Sequence, residues 1–281
     1  MRNVSRRQAV LFLSALVVLS PRLCGEIRLL GVTTSAGFKP GLPGPGSPAT
    51  VFVTGLKIPP VIPVIVGGLL PMPTEIAGIT VTYADSTRAP IFGVADLGAY
   101  QIVNFQVPWE AHLGPAVLAQ DGQYVTIPSD PAPWGEFFTM ADGFAVAAHA
   151  SDFSTVSAQN PVRPGEWIVL YASNLGPVTG APQTGVAAPT DRPTPLDPGT
   201  PVAWQFHVLL RDPSGDRSLE SNYLGLAPGL TGVYQINVRM PDTLPSQVSI
   251  YVQRDRNCGF FFTQGCGRGE QLDFSVNANL H

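Results

Sequence analysis

Short stretches in which apolar and polar residues alternate recur along the whole chain, and turn residues interrupt them about every ten positions. Residues 79–83 (ITVTY) keep a period of two, the turn ADSTR follows, and residues 90–94 read as the partner strand returning beside them. Residues 204–210, the turn RDPSGDR and a return through Tyr223 and Leu224 repeat that arrangement further on. Strands are also expected at 50–54, at 248–252 and in residues 117–127, where Asp121-Gly122 is a two-residue hairpin turn. The stretch 58–73 (IPPVIPVIVGGLLPMP) is apolar, but its five prolines and two glycines break both a membrane helix and a central strand, so it reads as a loop and edge segment. Residues 141–152 are the one place where a short helix competes with a hairpin, and the Pro-, Gly- and Thr-rich residues 176–200 read as a long surface loop.

The pattern occurs twice. Pro45-Gly46 leads through VFVTGL to Leu56, and Pro164-Gly165 leads through WIVLYASNL to Leu175, with no gap between the copies. Downstream, YQIVNFQVP starting at Tyr100 matches YQINVRMP starting at Tyr234 once Val103 is treated as an insertion. That alignment puts Tyr100 and Tyr234 at equivalent packing positions, with Gly165 and Gly229 supplying turns. A unit of more than a hundred residues is too long for a solenoid repeat and points to two tandem domains of one fold. The expected architecture is all-β, two antiparallel β-sandwiches over residues 26–155 and 156–281.

Residues 1–25 read as a cleaved export signal: Arg2, Arg6 and Arg7, then an apolar run from Ala9 to Leu19 that is too short for a permanent anchor. The protein is therefore expected outside the cytoplasm, with no transmembrane segment after cleavage, and the signal directly precedes the first repeat. Only 13% of residues are charged and Gly and Pro number 29 each, which disfavours solvent-exposed helices and favours many turns. A net charge of −4 with two lysines, Lys39 and Lys57, leaves no basic stripe for nucleic acid. In an oxidising compartment Cys258 and Cys266, in CGFFFTQGC, are expected to form a disulfide across a short loop.

Reactive constellations are sparse. His112, His149, His207 and His281 fit no metal or catalytic spacing, no G-x-S-x-G is present, and Asp212, Ser214 and Asp216 read as a turn rather than a calcium loop. No catalytic residue, metal ligand or cofactor is expected. The candidate contact residues are aromatic: Trp109 and Trp134, able to stack on sugars if exposed or to pack between the domains if not, and Phe260, Phe261 and Phe262 at the cysteine loop. Trp167 and Trp204 read as core residues.

FQVPWE at 105–110, RPGEWIVLYASNLGPV at 163–178 and GLAPGLTGVYQINVRMP at 225–241 resemble an uncharacterised C-terminal domain family of secreted proteins from Solibacter and other Acidobacteria. The resemblance implies immunoglobulin-like (IPT/TIG-type) repeats and no known activity; the Cys258–Cys266 segment is not part of that pattern. The expected function is a non-catalytic binding or adhesion module for an extracellular protein or polysaccharide. Carbohydrate binding through exposed tryptophans is the first alternative and an extracellular hydrolase the second.

Overall fold

A computed structural model describes residues 26–59, 64–66, 70–111, 114–199, 204–212, 215–244 and 248–256. Among these residues the chain is all-β, with antiparallel strand pairs throughout and no helix. No helix there is long and apolar enough to cross a membrane. Residues 1–25, read above as an export signal, all three cysteines and Phe260, Phe261 and Phe262 lie outside the described residues.

The first unit has two sheets. One runs in the order β1 (Arg28–Thr34), β2 (Pro48–Thr54), β7 (Gln101–Gln106), β6 (Ile91–Asp96), β3 (Val64–Val66). The other runs β4 (Glu75–Ile76), β5 (Ile79–Tyr83), β8 (Ala116–Gln120), β9 (Gln123–Ile127). Period-two alternation gives each sheet an apolar face, and Val51, Val103, Phe105 and Ile91 of one share a core with Ile79, Val81 and Leu118 of the other. Asp121 and Gly122 both take positive φ, 50° and 78°, and close the β8–β9 hairpin with two residues as their identity demands.

In the second unit β10 (Glu136–Phe137) and β11 (Ala147–His149) both pair with β12 (Trp167–Ser173), followed by β16 (Tyr234–Arg239) and β15 (Ser221–Leu226). Its other sheet is β14 (Gly215–Ser218), β13 (Trp204–Asp212), β17 (Ser249–Arg256). The segment where a helix competes forms turns and β11 instead. Phe137, Ala145 and Ala147 already belong to the second core, whereas Ile127 closes the first. The changeover therefore falls between residues 127 and 137, ahead of the division at 155 expected from the repeat.

Two strand partners differ from the sequence reading. β6 does not return beside β5 but crosses to the other sheet and pairs with β7 and β3, and β15 likewise pairs with β16. β5 takes β8 as its partner, and β13 takes β14 and β17. Alternation identifies a strand but not its sheet, because both sheets bury one face.

The internal repeat is structural, with a corrected register. Gly46 and Gly165 both have positive φ, as do Gly55 and Asn174 at the bend after the strand. Val107 N–H donates to Ser47 O as Met240 N–H donates to Glu166 O, and both β6–β7 and β15–β16 carry a bulge opposite Asn104 and Asn237. In the ladders, however, Val53 pairs with Gln101 while the equivalent Ala172 pairs with Tyr234. Val103 is thus a regular strand position matching Ile236, and Tyr100 and Tyr234 are not equivalent. Tyr234 is fully buried and its hydroxyl donates to Gly176 O, whereas Tyr100 lies on the outer face, because a shift of one residue reverses the face of a strand residue.

The units are joined by a polar seam. Residues 176–199 are not a free loop: Gly185 N–H donates to Gln106 Oε1 at 2.8 Å, Met72 N–H to Gly185 O at 2.8 Å, and Trp109 N–H to Thr184 Oγ1 at 2.9 Å. Gly44 N–H donates to Asn174 Oδ1, and Gln106 Nε2 donates to Gly46 O.

Buried tyrosines set an alkaline limit. Burial, reinforced by Asp85, pushes the Tyr83 hydroxyl well above its ordinary range, and burial does the same to Tyr234. A raised folded-state value means the contribution is intact below the unfolded tyrosine pKa of about 10 and is lost as pH rises toward the folded value. The Tyr83 hydroxyl has no hydrogen-bond partner among the described residues. Tyr83→Phe is expected to leave stability at pH 7 unchanged or raise it by about 1 kcal/mol. It should also lessen the fall in melting temperature above about pH 10; a loss of stability at pH 7 would contradict this reading of the site.

Candidate functional site

The outer face of the first unit's larger sheet carries a groove. Because Ala49, Val51 and Val53 of β2 point into the core, Thr50 and Phe52 point out, and β7 likewise turns Ile102 and Asn104 outward. The ladder pairs Thr50 with Asn104 and Phe52 with Ile102. Two connections raise walls around this floor. The β1–β2 loop is tied by Thr34 N–H to Lys39 O and Lys39 N–H to Thr34 Oγ1, and it sets Phe38 at its tip. The β6–β7 turn is closed by Leu97 N–H to Tyr100 O and brings Leu97 and Tyr100 to the other side.

The result is a depression of about 200 Å³ lined by eight uncharged residues: Ser35, Phe38, Thr50, Phe52, Leu97, Tyr100, Ile102 and Asn104. Phe52 lies between the other two rings, 6.3 Å from Phe38 and 5.7 Å from Tyr100, tilted by 59° and 58°. These are favourable aromatic geometries. Phe38 is 59% exposed and has φ of 54°. A bulky residue in the left-handed region is strained, and Phe153 of the second unit, 67% exposed with φ of 57°, shares this conformation at the corresponding turn.

The polar floor has a direction. Thr50 Oγ1 donates to Asn104 Oδ1 at 2.8 Å; its single hydrogen is then used, so Ser35 Oγ donates to Thr50 Oγ1 across 2.9 Å. Ser35 Oγ keeps lone pairs to accept, and Asn104 Nδ2 keeps N–H groups with no acceptor among the described residues. Reversing the Asn104 amide exchanges the two ends but still leaves one donor and one acceptor.

The predicted tryptophans lie elsewhere. Trp109 is half-buried against the second core and on Gly46, where an added Cβ would come within 2.1 Å of its ring. Trp134 is half-buried, donates from Nε1 to Leu175 O at 2.7 Å, stacks on Phe206 at 6.2 Å and carries the Arg254 guanidinium 4.6 Å above its ring. The crevice beside it, of about 10 Å³, is at most the size of one water. Trp167 is half-buried on β12, and the side chain of Trp204 is outside what is described.

Other polar clusters are structural. His149 is 1% exposed, with Nδ1 2.8 Å from Glu166 Oε2 and Nε2 3.2 Å from Asn160 O, so neither ring nitrogen is open to a serine. Ser154 Oγ instead accepts from Asn160 Nδ2. The hydrogen-bonded Arg211 guanidinium holds the Asp216 carboxyl below its usual range, which makes this turn an ion pair. Among the described residues no three His, Cys, Asp or Glu side chains converge as a metal site.

The groove was not singled out from sequence. Its floor has Thr50, Phe52, Ile102 and Asn104 at positions where the second unit has Val169, Tyr171, Gln235 and Asn237. The legible signal was outward alternation on β2 and β7, which placed Phe52 beside Ile102. No protein-family model matches the chain, and no curated protein shows significant similarity to it.

Proposed function

We propose that this chain is a secreted, non-catalytic binding protein of two immunoglobulin-like domains joined as one body, and that it binds through the Phe38–Phe52–Tyr100 groove. The immunoglobulin-like reading rests on strand order. β1-β2-β7-β6 opposite β5-β8-β9 follows the four-plus-three pattern of constant-type immunoglobulin domains, and β11-β12-β16-β15 with β13-β17 follows it as far as it is described. Membership of the Acidobacterial secreted-protein family is proposed from the three motifs, and export from residues 1–25.

The observation that carries the binding reading is the cluster of the exposed Phe38 ring with Phe52 and Tyr100 over the polar floor; the left-handed backbone alone does not mark it, because the exposed Phe153 of the second unit shares it. A sandwich core does not need this arrangement, and exposed aromatic surface over a polar floor is typical of a contact site. Binding through Trp109 and Trp134 is less well supported, since both pack against the second core. A hydrolase mechanism lacks support from His149, whose ring nitrogens are both engaged.

The test is retention of the full chain on a panel of immobilised polysaccharides and envelope proteins. Phe52→Asp places a carboxylate between the flanking rings and is expected to lower retention about tenfold or more, with circular dichroism unchanged. Tyr124→Ser, at an exposed aromatic on β9, is expected to retain as the native chain does. Equal retention by Phe52→Asp and the native chain would contradict the proposal.

A further inference from the structure

We infer that the groove takes one neutral sugar ring of a polysaccharide chain; this rests on the reading above that the groove is the binding face. Three properties of the site converge on that chemistry.

The lining carries no charge, so nothing in it compensates a phosphate, a sulfate or a uronic acid for lost hydration. The occupant is neutral. The walls are aromatic and the floor is polar, so the occupant needs an apolar face and a hydroxylated edge. A pyranose has both: its axial C–H groups form a face for Phe52, Phe38 and Tyr100, and its hydroxyls form an edge for Ser35 and Asn104.

The floor offers one donor end and one acceptor end through the Ser35–Thr50–Asn104 relay. A sugar hydroxyl both donates and accepts, so neighbouring hydroxyls satisfy both ends at once. A proline-rich peptide, the other neutral occupant of aromatic grooves, brings carbonyl acceptors but no N–H at proline. It leaves the Ser35 end unsatisfied.

Size limits the occupant to a single ring. The volume of about 200 Å³ is below the roughly 300 Å³ at which pockets begin to hold drug-sized ligands. Thr50 is 2% exposed, and its two hydrogen bonds fix the floor before any ligand arrives. Pre-ordering of this kind reduces the entropy lost on binding. One ring in so shallow a site binds with a Kd on the order of 1 mM, and repeated rings along a chain raise the apparent affinity.

The experiment is native affinity electrophoresis of the full chain in gels containing xylan, mixed-linkage β-glucan, galactomannan or glycol chitin, with poly-L-proline gels alongside. At least one neutral polysaccharide is expected to retard the native chain. Phe38→Ala and Asn104→Ala should each weaken retardation about three- to tenfold, while Tyr124→Ser migrates as the native chain does. Circular dichroism of each variant establishes that it has folded. Groove-dependent retardation by poly-L-proline alone would overturn the sugar assignment and leave the groove as the binding face. Polysaccharide retardation that survives both groove variants would overturn the site itself, and retardation by none of the four polysaccharides would overturn the sugar assignment.

Discussion

Gly46→Ala is expected to lower the stability of this protein by about 2–4 kcal/mol, a fall in melting temperature of roughly 6–12 °C for a chain of this size. Gly46 sits at φ of 81°, where an L side chain is strained, and its added Cβ would fall 2.1 Å from Cη2 of Trp109. The indole has little room to move, because it packs against the second core. Gly98 provides an internal control: its φ is 84°, but nothing lies within 4 Å of the added Cβ. Gly98→Ala therefore bears the backbone cost alone, about 1–2 kcal/mol, and the difference between the variants measures the contact with Trp109. Equal losses at the two positions would mean that Trp109 does not brace the seam.

Gln106→Leu is expected to cost about 2–4 kcal/mol, although the volume of the side chain is nearly kept. Gln106 is completely buried, and its amide joins Gly185 N–H of the second unit to Gly46 O of the first. Leucine fills the space but leaves a buried donor and a buried acceptor without partners, at about 1–3 kcal/mol each. The damage should be local to the 176–199 segment. Amide exchange at Gly185 and Met72 is expected to quicken, and melting is expected to be broader than that of the native chain as the units uncouple. A variant within about 0.5 kcal/mol of the native chain would mean that this amide is not structurally important.

Much of this fold was legible in the chain because particular residues dictate local geometry. Asp121-Gly122 specifies a two-residue hairpin, and the Pro-Gly pairs specify the turns before β2 and β12. The repeat was legible for the same reason, and the structure adds a left-handed bend that uses Gly55 in one copy and Asn174 in the other. What sequence could not supply was register and partnership. The shared letters Tyr-Gln-Ile align by identity, but the hydrogen-bond ladder equates Tyr234 with Gln101, which sends Tyr100 outward and Tyr234 into the core. Matching letters do not fix a register, whereas the ladder records which face is buried.

The site was harder to read than the fold. Phe38, Phe52 and Tyr100 come from a loop tip, a strand and a hairpin end, and only the antiparallel order of β1, β2 and β7 gathers them. Ser35, Thr50 and Asn104 are unremarkable in sequence and become a relay through the same pairing. The tryptophans drew attention by their size, but large aromatic residues are most often used for packing, and Trp109 and Trp134 are used that way at the seam and beside the second core. The second unit holds the equivalent sheet but places Val169, Tyr171 and Gln235 where the first has Thr50, Phe52 and Ile102, so the repeat keeps the architecture while the outer face differs.

The central claim, that binding occurs on the Phe38–Phe52–Tyr100 face, is tested most directly by aromatic ¹³C NMR of the full chain during titration with cello-, xylo- and manno-hexaose. The account predicts shifts at Phe38, Phe52 and Tyr100 with at least one of them, while Trp109, Trp134 and Tyr234 stay unchanged. Shifts confined to the tryptophans, or saturable binding with the three groove rings unperturbed, would contradict it.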